Sequence, residues 1–310
     1  MTSRILYSLI FISVLSWLFS PLYGQRFSVL KTNGGIEIAE NGSKVLFYQS
    51  ATKANNNKYA RANYIHPLYS LKGDMLTEDF PEDHPHHRGI FWAWHQIILN
   101  GKQIADSWSC ENIAWEVVDT DVRRKKNEIA LVNEVLWKSV LDEGTPETII
   151  RENSTIIVHA ATGQYRLIDF EIGLSAAAGD VKIGGSDDPK GYGGFSLRFR
   201  LPEDIVFMSR GEKITAQELA VQAGPWMDMS GSFGKKDARG GITVICHPDN
   251  PGHPEPWILR STKSMQNPAF PGRTPVALTK EGLRFRYRLV VHDHELNTES
   301  IEKMFRDYSH

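Results

Sequence analysis

The chain is poor in cysteine, has no marked excess of either charge and, beyond its first residues, has no long apolar run. It has 310 residues and two cysteines, too few for a zinc site built from cysteine alone. Its 35 basic and 37 acidic residues give a formal net charge of -2, so it lacks the basic surface typical of nucleic-acid-binding proteins. No apolar run after residue 24 reaches the roughly 18 residues of a membrane-spanning helix. We therefore expect no nucleic-acid partner.

Common catalytic and nucleotide-binding motifs are absent too. The sequence contains no Gly-x-Ser-x-Gly elbow, no His-Glu-x-x-His pair and no dinucleotide-binding fingerprint. The glycines of segment 187–195 are not followed by Gly-Lys-Ser/Thr or by the start of a helix, which argues against a phosphate-binding loop. Function must therefore be inferred from clusters of polar side chains.

The first 24 residues are predicted to be a signal peptide. Arg4 supplies the positive charge, residues 5–19 are mostly apolar, and residues 20–24 provide an exit that ends in glycine. A membrane anchor is the alternative, but the apolar stretch is short and no basic stop-transfer cluster follows it. We therefore expect an exported protein, periplasmic or extracellular, that has no stable membrane span once the signal is removed.

Export bears on the state of the two cysteines. An exported protein meets an oxidising compartment, in which Cys110 and Cys246 could form a disulfide. Two cysteines so far apart in sequence are equally compatible with two buried thiols. The sequence leaves both states open.

Strand periodicity dominates the rest of the chain. Asn41-Gly42 and Asn100-Gly101 each separate two apolar segments, and Asn-Gly tolerates the positive φ of a hairpin turn. Residues 165–175 alternate between apolar and polar, and residues 283–292 place three arginines opposite an apolar face. These patterns predict several antiparallel hairpins with one buried face.

Helix signals are confined to the tail of the chain. Asn297 or Thr298 could cap a short helix over Ser300–Tyr308. Many strands with almost no intervening helices predict an all-β fold. We expect residues 25–310 to form a single large antiparallel β-sandwich, supersandwich-like, with few short helices.

The densest group of titratable residues lies in segment 77–89, which two prolines stiffen. In an extended chain, His84 and His86 would face one way and His87 the other. Neutral imidazoles at this spacing suit either metal binding or proton transfer near neutral pH. The alternative is a rigid loop whose histidine and aspartate side chains bond to the backbone.

Two further segments contain plausible site residues. The proline-rich segment 246–257, followed by Arg260, combines histidines, an asparagine and a tryptophan, and this combination of an aromatic face with planar donors is typical of a sugar site. A surface loop held by Trp257 is the alternative. In the glycine-rich segment, Lys190 and Tyr192 are candidates for acid–base chemistry or for contacts with hydroxyl groups, and Trp226 lies close to the carboxylate of Asp228.

Several motifs resemble those of the PmoA-like domain family, which carries the label "methane oxygenase". The resemblance extends from about Tyr64 to the arginine-rich terminal strand, and it implies a β-sandwich of the galactose mutarotase-like kind in an exported protein of a polysaccharide-degrading bacterium. It concerns the family alone, because a membrane oxygenase subunit needs spanning helices that this chain lacks. The motifs are Tyr64-Ile65-His66-Pro67-Leu68, Leu76–Pro81, Asp83–Gly89, Lys190–Phe195, His247-Pro248-x-Asn250 and His253-Pro254-x-x-Trp257.

Together these observations predict an exported carbohydrate-active enzyme that acts on a sugar or glycoside as a hydrolase, lyase or epimerase. Each of these reactions needs an acid and a base at a fixed separation. A histidine would be the acid or base and a carboxylate would orient its imidazole. The predicted catalytic residues are His84, His86, His87, Glu78, Asp79 and Lys190.

The predicted substrate-binding residues have three roles. Arg88 and Arg260 would clamp substrate oxygens, and Trp226 and Trp257 would form stacking walls. The remaining members would contact hydroxyl groups of a small-molecule or oligosaccharide substrate. These members are Tyr192, Asp228, His247, Asn250 and His253.

Two alternatives remain open. The first is a non-catalytic carbohydrate-binding protein that uses the same aromatic residues and arginines without turnover. The second is a metal-dependent enzyme with ligands from His84, His86, His247 and His253. The sequence requires no cofactor, although a divalent metal ion is compatible with the histidine spacing. A single site requires the three loops to meet on one concave face.

Overall fold

The computed structural model describes residues 26–140, 146–233 and 239–310. The predicted signal peptide and the turn expected from Glu143-Gly144 lie outside these residues. In chain order the strands are β1 (Phe27–Lys31), β2 (Gly35–Glu40), β3 (Ser43–Gln49), β4 (Lys53–Asn55), β5 (Lys58–Arg61), β6 (Tyr64–Leu68), β7 (Ile90–Trp94), β8 (Gln96–Leu99), β9 (Lys102–Ala105), β10 (Ile113–Lys125), β11 (Glu128–Ser139), β12 (Glu147–His159), β13 (Tyr165–Ala176), β14 (Val181–Gly184), β15 (Gly193–Leu197), β16 (Val206–Ser209), β17 (Glu212–Ile214), β18 (Trp226–Gly231), β19 (Gly240–Cys246), β20 (Trp257–Ile258), β21 (Asn267–Pro268), β22 (Val276–Leu278) and β23 (Leu283–His292).

Two large antiparallel sheets account for most of these strands. One has the order β1-β2-β3-β6-β7-β15, and the other has the order β10-β11-β12-β13-β23-β19-β18-β16-β17. A four-stranded sheet, β22-β14-β8-β9, and two short ribbons, β20-β21 and β4-β5, complete the set. The all-β, sandwich-like fold predicted from the strand periodicity is therefore confirmed.

The core lies between the two large sheets. The apolar faces of both sheets contribute to one continuous cluster of buried residues. Trp92 on β7 contacts Phe170 on β13 edge-on, with 6.5 Å between ring centroids. Burial of this apolar surface is the main stabilising contribution to such a fold.

A buried carboxylate joins the two sheets at the centre of the core. Glu152 on β12 is fully buried and accepts hydrogen bonds of 2.9 Å from the indoles of Trp92 and Trp137 and from the Asn63 amide. Burial raises the pKa of Glu152, although these hydrogen bonds oppose the shift. The indole of Trp92 crosses from the six-stranded sheet to reach it, so the bond fixes how the sheets face each other.

The hairpins predicted from Asn-Gly are present. Asn41 and Gly42 connect β2 to β3, and Asn100 and Gly101 connect β8 to β9, all four with positive φ. The apolar segment before Asn100-Gly101 forms two strands and not one, because the pairing ends at Trp94 and begins again at Gln96. His95 occupies the break.

The predicted alternation along β13 and β23 is also present. The apolar residues of each strand face the core, and the charged residues pair across the strands on the other face. Asp169 on β13 lies opposite Arg288 on β23 and accepts two hydrogen bonds from it. Neighbouring carboxylates and arginines of opposite charge thus stabilise the register.

The predicted tail helix is confirmed. Helix α1 spans Thr298–Tyr308, and Asn297 is its N-cap, with Oδ1 accepting the Ser300 N–H at 2.8 Å. Ile301 and Met304 pack against the nine-stranded sheet. Among the residues that the structure describes, no helix is both long and apolar enough to cross a membrane.

Candidate functional site

Two of the three predicted segments meet at one concave region, called here the histidine pocket. Its volume of about 330 Å³ lies at the lower end of the range for small-molecule sites. The loops that form it lead into β7, separate β7 from β8, follow β9 and connect β14 to β15. The lining residues are His84, His86, His87, His95, Trp108, Ser109, Ser186, Asp188, Lys190, Tyr192 and Ser264.

The three clustered histidines lie on a turn rather than on an extended segment. The His87 N–H donates to the His84 carbonyl at 2.9 Å, which closes the turn. The rings of His84 and His87 stack with centroids 4.7 Å apart, and His86 meets His87 edge-on at 4.6 Å. The prediction that His87 faces away from the other two is therefore wrong, because the turn brings all three rings to the same pocket.

A glycine sets the position of this turn against the six-stranded sheet. A Cβ atom added to Gly89 would lie 2.1 Å from the Ile65 carbonyl oxygen on β6. Only a residue without a side chain permits so close an approach. Gly89 thus holds the histidine turn at the edge of β6 and β7.

His84 is oriented by a carboxylate that is itself fixed. Its Nδ1 lies 2.7 Å from Asp83 Oδ2, and Asp83 receives two hydrogen bonds, of 2.7 and 3.0 Å, from the buried guanidinium of Arg198. Partial burial favours a higher pKa of Asp83, but the hydrogen bonds from Arg198 and His84 outweigh it and lower the pKa. Asp83 therefore stays ionised and holds the His84 ring.

A second histidine–aspartate pair lies on another wall of the pocket. Nδ1 of His95 is 2.8 Å from Asp106 Oδ2, and Asp106 Oδ1 accepts the N–H groups of Trp108 and Ser109, both at 2.9 Å. The His95 ring stacks on Trp108 with centroids 5.3 Å apart. Two backbone donors and an aromatic face thus fix both members of the pair.

These two pairs leave the same nitrogen available on each ring. Nδ1 of His84 and Nδ1 of His95 are each bonded to a carboxylate. Within the described residues, Nε2 of neither ring has a hydrogen-bond partner, and neither Nε2 is enclosed by the protein. An aspartate that accepts from Nδ1–H leaves Nε2 as a proton acceptor. Both rings can therefore act as bases toward a molecule in the pocket.

The other two histidines of the pocket are uncharged near neutral pH. Burial, followed by the neighbouring His84, lowers the pKa of His86 to about 4. Burial lowers the pKa of His87 still further, with repulsion from His86 and His84 in the same direction. Nδ1 of His87 is buried and has no hydrogen-bond partner within the described residues. Neutral rings can accept or donate a hydrogen bond without adding charge.

The glycine-rich segment forms the opposite side of the pocket. Asp188 Oδ1 accepts from the Ser186 hydroxyl at 2.9 Å and from the Lys190 N–H at 2.8 Å, which closes the loop. The Tyr192 ring lies 5.7 Å from that of Trp108, and Lys190 Nζ lies 3.5 Å from a carboxylate oxygen of Glu218. The structure thus brings Lys190 and Tyr192 together with the histidines.

The predicted carboxylate partners of the histidines are wrong. Glu78 pairs with Arg198 at 2.7 Å, and Asp79 pairs with Lys53 at 2.7 Å and lies 3.4 Å from Arg88. Neither carboxylate contacts an imidazole, because each is paired with a nearby cationic side chain. Asp83 and Asp106 have that role instead.

The two predicted arginine clamps do not face the pocket as free donors. Arg88 is completely buried and donates to the carbonyl oxygens of Pro85, His87 and Tyr59. Arg260 donates to three carbonyl oxygens, those of Gln217, Leu259 and Glu218, and to the Tyr192 hydroxyl. Because Arg88 is enclosed and the terminal nitrogens of both guanidinium groups donate within the protein, the prediction that they clamp substrate is wrong.

The predicted stacking walls are wrong as well. The rings of Trp226 and Trp257 are fully buried, and their indole N–H groups donate to Glu302 and to the Gly224 carbonyl. A fully enclosed ring cannot stack on a substrate. The aromatic residues of the pocket are Trp108 and Tyr192.

The remaining predicted binding residues lie apart from the pocket. Asp228 is buried and bonded to His292 Nε2 at 2.9 Å and to Thr243 at 2.7 Å. Asn250 donates to Glu255 and to the Arg286 carbonyl, and it accepts the Arg286 N–H. These bonds fix the fold.

His247 and His253 are likewise not in the pocket. The His247 ring packs edge-on against Tyr308, and the His253 ring faces Phe305, both in helix α1. Segment 247–257 therefore does not join the other two segments, and Arg260 reaches the pocket only through its bond to Tyr192, so the prediction of one site built from all three loops is wrong. Chain reversal at its prolines places this segment under the helix.

The predicted metal ligands are consequently divided between two regions. His84 and His86 line the pocket, whereas His247 and His253 pack against α1. Within the described ranges, no group of three or more histidine, cysteine, aspartate or glutamate residues has a geometry that could hold a metal ion. The predicted set of four histidines is thus not assembled.

The cysteines are free. Cys246 is fully buried, and Cys110 is partly buried. Burial raises the pKa of the Cys246 thiol, and the neighbouring Glu255 acts in the same direction. Of the two states left open by the sequence, the structure has two unpaired thiols.

Sequence reasoning missed the His95–Asp106 pair, although a signal for it was present. The hairpin predicted around Asn100-Gly101 pairs Ile97 with Ala105. Extending this register by one residue places Asp106 opposite Gln96, the neighbour of His95 in the chain. The pairing of the strands thus carries the information that residue spacing alone does not.

Comparison with known proteins places the chain in a family. A search of curated proteins finds no significant match. The model of a family of unknown function, DUF6807, matches residues 35–306, a range that includes every residue of the histidine pocket. Because the match covers most of the chain, the protein belongs to the family of unknown function DUF6807.

Proposed function

We propose that this protein is an exported enzyme that acts on a sugar or glycoside by acid–base catalysis. One observation carries the proposal: two histidine–aspartate pairs, His84–Asp83 and His95–Asp106, open into one pocket. A fixed imidazole within reach of a bound molecule is the usual general acid or base of an enzyme. Two such rings provide both partners of a proton transfer.

The walls of the pocket support a carbohydrate ligand. The rings of Trp108 and Tyr192 offer apolar faces, and Ser109, Ser186 and Ser264 add hydroxyl groups. An aromatic face beside small polar donors suits the alternating C–H and O–H surfaces of a sugar. The volume of about 330 Å³ suits a ligand the size of a small sugar.

A non-catalytic sugar-binding protein is the second candidate. Such a module needs aromatic faces and hydrogen-bond donors, but it does not need imidazoles held by carboxylates. Here each of two carboxylates is fixed by further donors, Arg198 for Asp83 and two N–H groups for Asp106. That arrangement favours catalysis, because proton transfer depends on ring orientation and plain binding does not.

A closer relationship to PmoA-like domains, and through them to galactose mutarotase-like sandwiches, belongs to the same proposal. It rests on the motifs given above, of which Asp83–Gly89 and Lys190–Phe195 contribute pocket residues. Export rests on the composition of residues 1–24. The hydrolase, lyase and epimerase types all remain compatible with a pair of imidazoles.

The proposal is tested by turnover of a substrate panel. The purified protein is incubated with neutral aldoses and ketoses, uronates and aryl glycosides, and products are followed by NMR and chromatography. We expect turnover of at least one class, and a fall in kcat/KM of about 10²–10⁴-fold in His84→Ala and His95→Ala. His294→Ala is the control, because this histidine is exposed and lies outside the pocket.

Each other outcome is informative. Binding of a sugar without turnover across the panel would support the binding module. Activity retained in both pocket variants would remove the histidine–aspartate pairs from the mechanism. Absence of both binding and turnover would contradict a carbohydrate function altogether.

A further inference from the structure

The hydroxyl of Tyr192 has one proton without an acceptor. Its oxygen accepts a hydrogen bond from Arg260 Nη2 at 2.5 Å, and a guanidinium can only donate. The phenolic hydrogen must therefore go to another acceptor, and within the described residues Tyr192 Oη donates to none. Since Tyr192 is half-buried and lines the histidine pocket, this hydrogen is available to water or to a molecule bound there.

Arg260 is held so that this geometry persists. Its guanidinium donates to the carbonyl oxygens of Gln217 at 2.7 Å and Glu218 at 2.9 Å. Its own backbone N–H and carbonyl are both bonded to the buried amide of Gln266, at 2.8 and 3.0 Å. A donor fixed in this way keeps its bond to Tyr192 without reorganising when a ligand binds.

The backbone of Tyr192 is fixed as firmly as its hydroxyl. Its N–H donates to the Ser186 hydroxyl at 2.9 Å, and its carbonyl accepts the Ser186 N–H at 2.9 Å. The ring rests against Trp108, with 5.7 Å between centroids. The hydroxyl is therefore a preorganised donor aimed at a fixed part of the pocket.

His95 also contacts Trp108, the residue against which Tyr192 rests. Its ring stacks on Trp108 at 5.3 Å, and its Nε2 is the nitrogen left free by Asp106. A donor on Tyr192 and an acceptor on His95 are therefore both anchored to Trp108. A small molecule in contact with that indole can reach both groups.

We propose that Tyr192 is the catalytic proton donor of the site and His95 its proton acceptor, with Arg260 as the positioning residue for Tyr192. This assignment rests on the proposed function. His95 Nε2 takes one proton from the substrate, and Tyr192 Oη gives one proton to a substrate oxygen on which negative charge develops. The resulting imidazolium and phenolate return to their starting forms by proton exchange with water, so that no net proton is gained or lost.

Apart from the histidines, Lys190 is another group in the pocket that could donate a proton. Its ammonium lies 3.5 Å from a carboxylate oxygen of Glu218, which is largely exposed. A charged group on a flexible chain is not held toward the ligand as Tyr192 is. We therefore assign the donor role to Tyr192.

The test measures kcat and KM across about pH 5 to pH 11, with the sugar or aryl glycoside of the panel that the wild type turns over. We expect Tyr192→Phe to lower kcat by about 10²–10⁴-fold with little change in KM. The alkaline limb of the kcat profile, which reports the donor, should disappear, and the acid limb, which reports His95, should remain. Tyr165→Phe is the matched control, because this tyrosine packs beside Trp226 and not in the pocket.

Arg260 is tested by two substitutions. Arg260→Met should lower kcat and displace the alkaline limb, and Arg260→Lys should restore part of both, because lysine keeps a cationic donor toward Tyr192. A purely structural arginine would lower the melting temperature in both variants and leave the alkaline limb in place. That result would overturn its positioning role.

The outcomes separate this assignment from the proposed function. Wild-type kcat with an intact alkaline limb in Tyr192→Phe, together with an inactive His95→Ala, would overturn the donor assignment and leave the enzyme proposal standing. Loss of kcat in Tyr192→Phe but not in His95→Ala would overturn the acceptor assignment. No turnover of any panel member by the wild type would overturn both proposals.

Discussion

Two histidine-containing segments of this chain look alike in sequence and differ completely in the folded protein. Segments 83–95 and 247–257 both combine histidines with proline, aspartate and tryptophan. The first opens into a pocket, where Nε2 of His84 and of His95 has no protein partner within the described residues. The second is packed beneath α1, where His247 contacts Tyr308. The residue types of a segment thus indicate which chemistry is available, but the contacts of each side chain decide whether that chemistry can be used.

The difference is clear from the hydrogen bonds of Asn250 in one segment and of Asp106 in the pocket. In the packed segment, both polar atoms of the Asn250 amide are consumed by Glu255 and by the backbone of Arg286. In the pocket, Asp106 uses its two oxygens to hold a loop and a ring, and the far nitrogen of that ring stays free. A buried polar group with all its partners stabilises a fold, whereas an oriented group with a vacant position can act on a ligand.

Asp106→Asn tests the pocket with the largest expected effect. Asparagine keeps the Oδ1 acceptor for Trp108 and Ser109 but presents an N–H group to Nδ1 of His95, which would reverse the imidazole tautomer. We expect kcat to fall by about 10²–10⁴-fold with little change in melting temperature. Asp249→Asn, the carboxylate beside His247, is the matched control and should leave kcat unchanged.

A large effect of Asp249→Asn on kcat would break the comparison, because it would give the packed segment a catalytic role. Equal activity of Asp106→Asn and wild type would remove His95 as a base. Steady-state kinetics with any substrate of the panel distinguishes these results.

Trp226→Ala should act on stability instead of turnover. The ring is fully buried among Ile245, Val290 and the apolar face of α1, so its removal leaves a cavity. We expect the free energy of unfolding to fall by about 3–5 kcal/mol, as measured by urea denaturation. The KM of the protein that remains folded should not change. A raised KM at full stability would restore Trp226 as a ligand contact.

Asn250→Ala should have a smaller effect of the same kind. The substitution removes the amide that accepts the backbone N–H of Arg286. It also removes a hydrogen-bond donor to the buried carboxylate of Glu255. We expect a loss of about 1–3 kcal/mol in the free energy of unfolding. Catalytic constants should be unaffected, and a selective change in KM would contradict the structural role.

The last prediction concerns the pH dependence of stability. Burial lowers the pKa of His86 from 6.5 to about 4, so between these values the unfolded chain binds a proton that the folded chain does not. Stability should therefore be highest above pH 6.5 and should fall as the pH decreases toward 4. His86→Gln should reduce this slope by up to about one proton, or about 1.4 kcal/mol per pH unit. Urea denaturation at a series of pH values measures the slope, with His294→Gln as the exposed control.

Local signals predicted much of the fold. Asn-Gly pairs located two hairpins because their backbone conformation is encoded by two adjacent residues. The alternation along β13 and β23 identified the core face, and Asn297 was one of two predicted caps of α1. The break at His95 could not be read from composition, because only two polar residues, His95 and Gln96, separate the apolar residues on either side of it.

The candidate site was predictable only in part. Five predicted residues lie together in the pocket: His84, His86, His87, Lys190 and Tyr192. They were predictable because their segments are rich in polar side chains, which seldom serve to fill an apolar core. Their carboxylate partners were missed, because Glu78 and Asp79 lie in the same segment as the histidines, whereas Asp106 follows His95 only after the β8–β9 hairpin. Arg198, which is far away in sequence, competes for Glu78 and fixes Asp83.

The amino-acid sequence by itself determined the all-β class, the hairpins, the buried faces of the long strands and the segments in which histidines could act. These features depend on neighbours along the chain, within one turn or one strand. Only the tertiary structure decided which histidines share a pocket, which carboxylate holds each ring and why Trp226 and Trp257 are enclosed. Those outcomes depend on contacts between residues far apart in sequence, where burial and competition for hydrogen-bond partners assign each side chain its role.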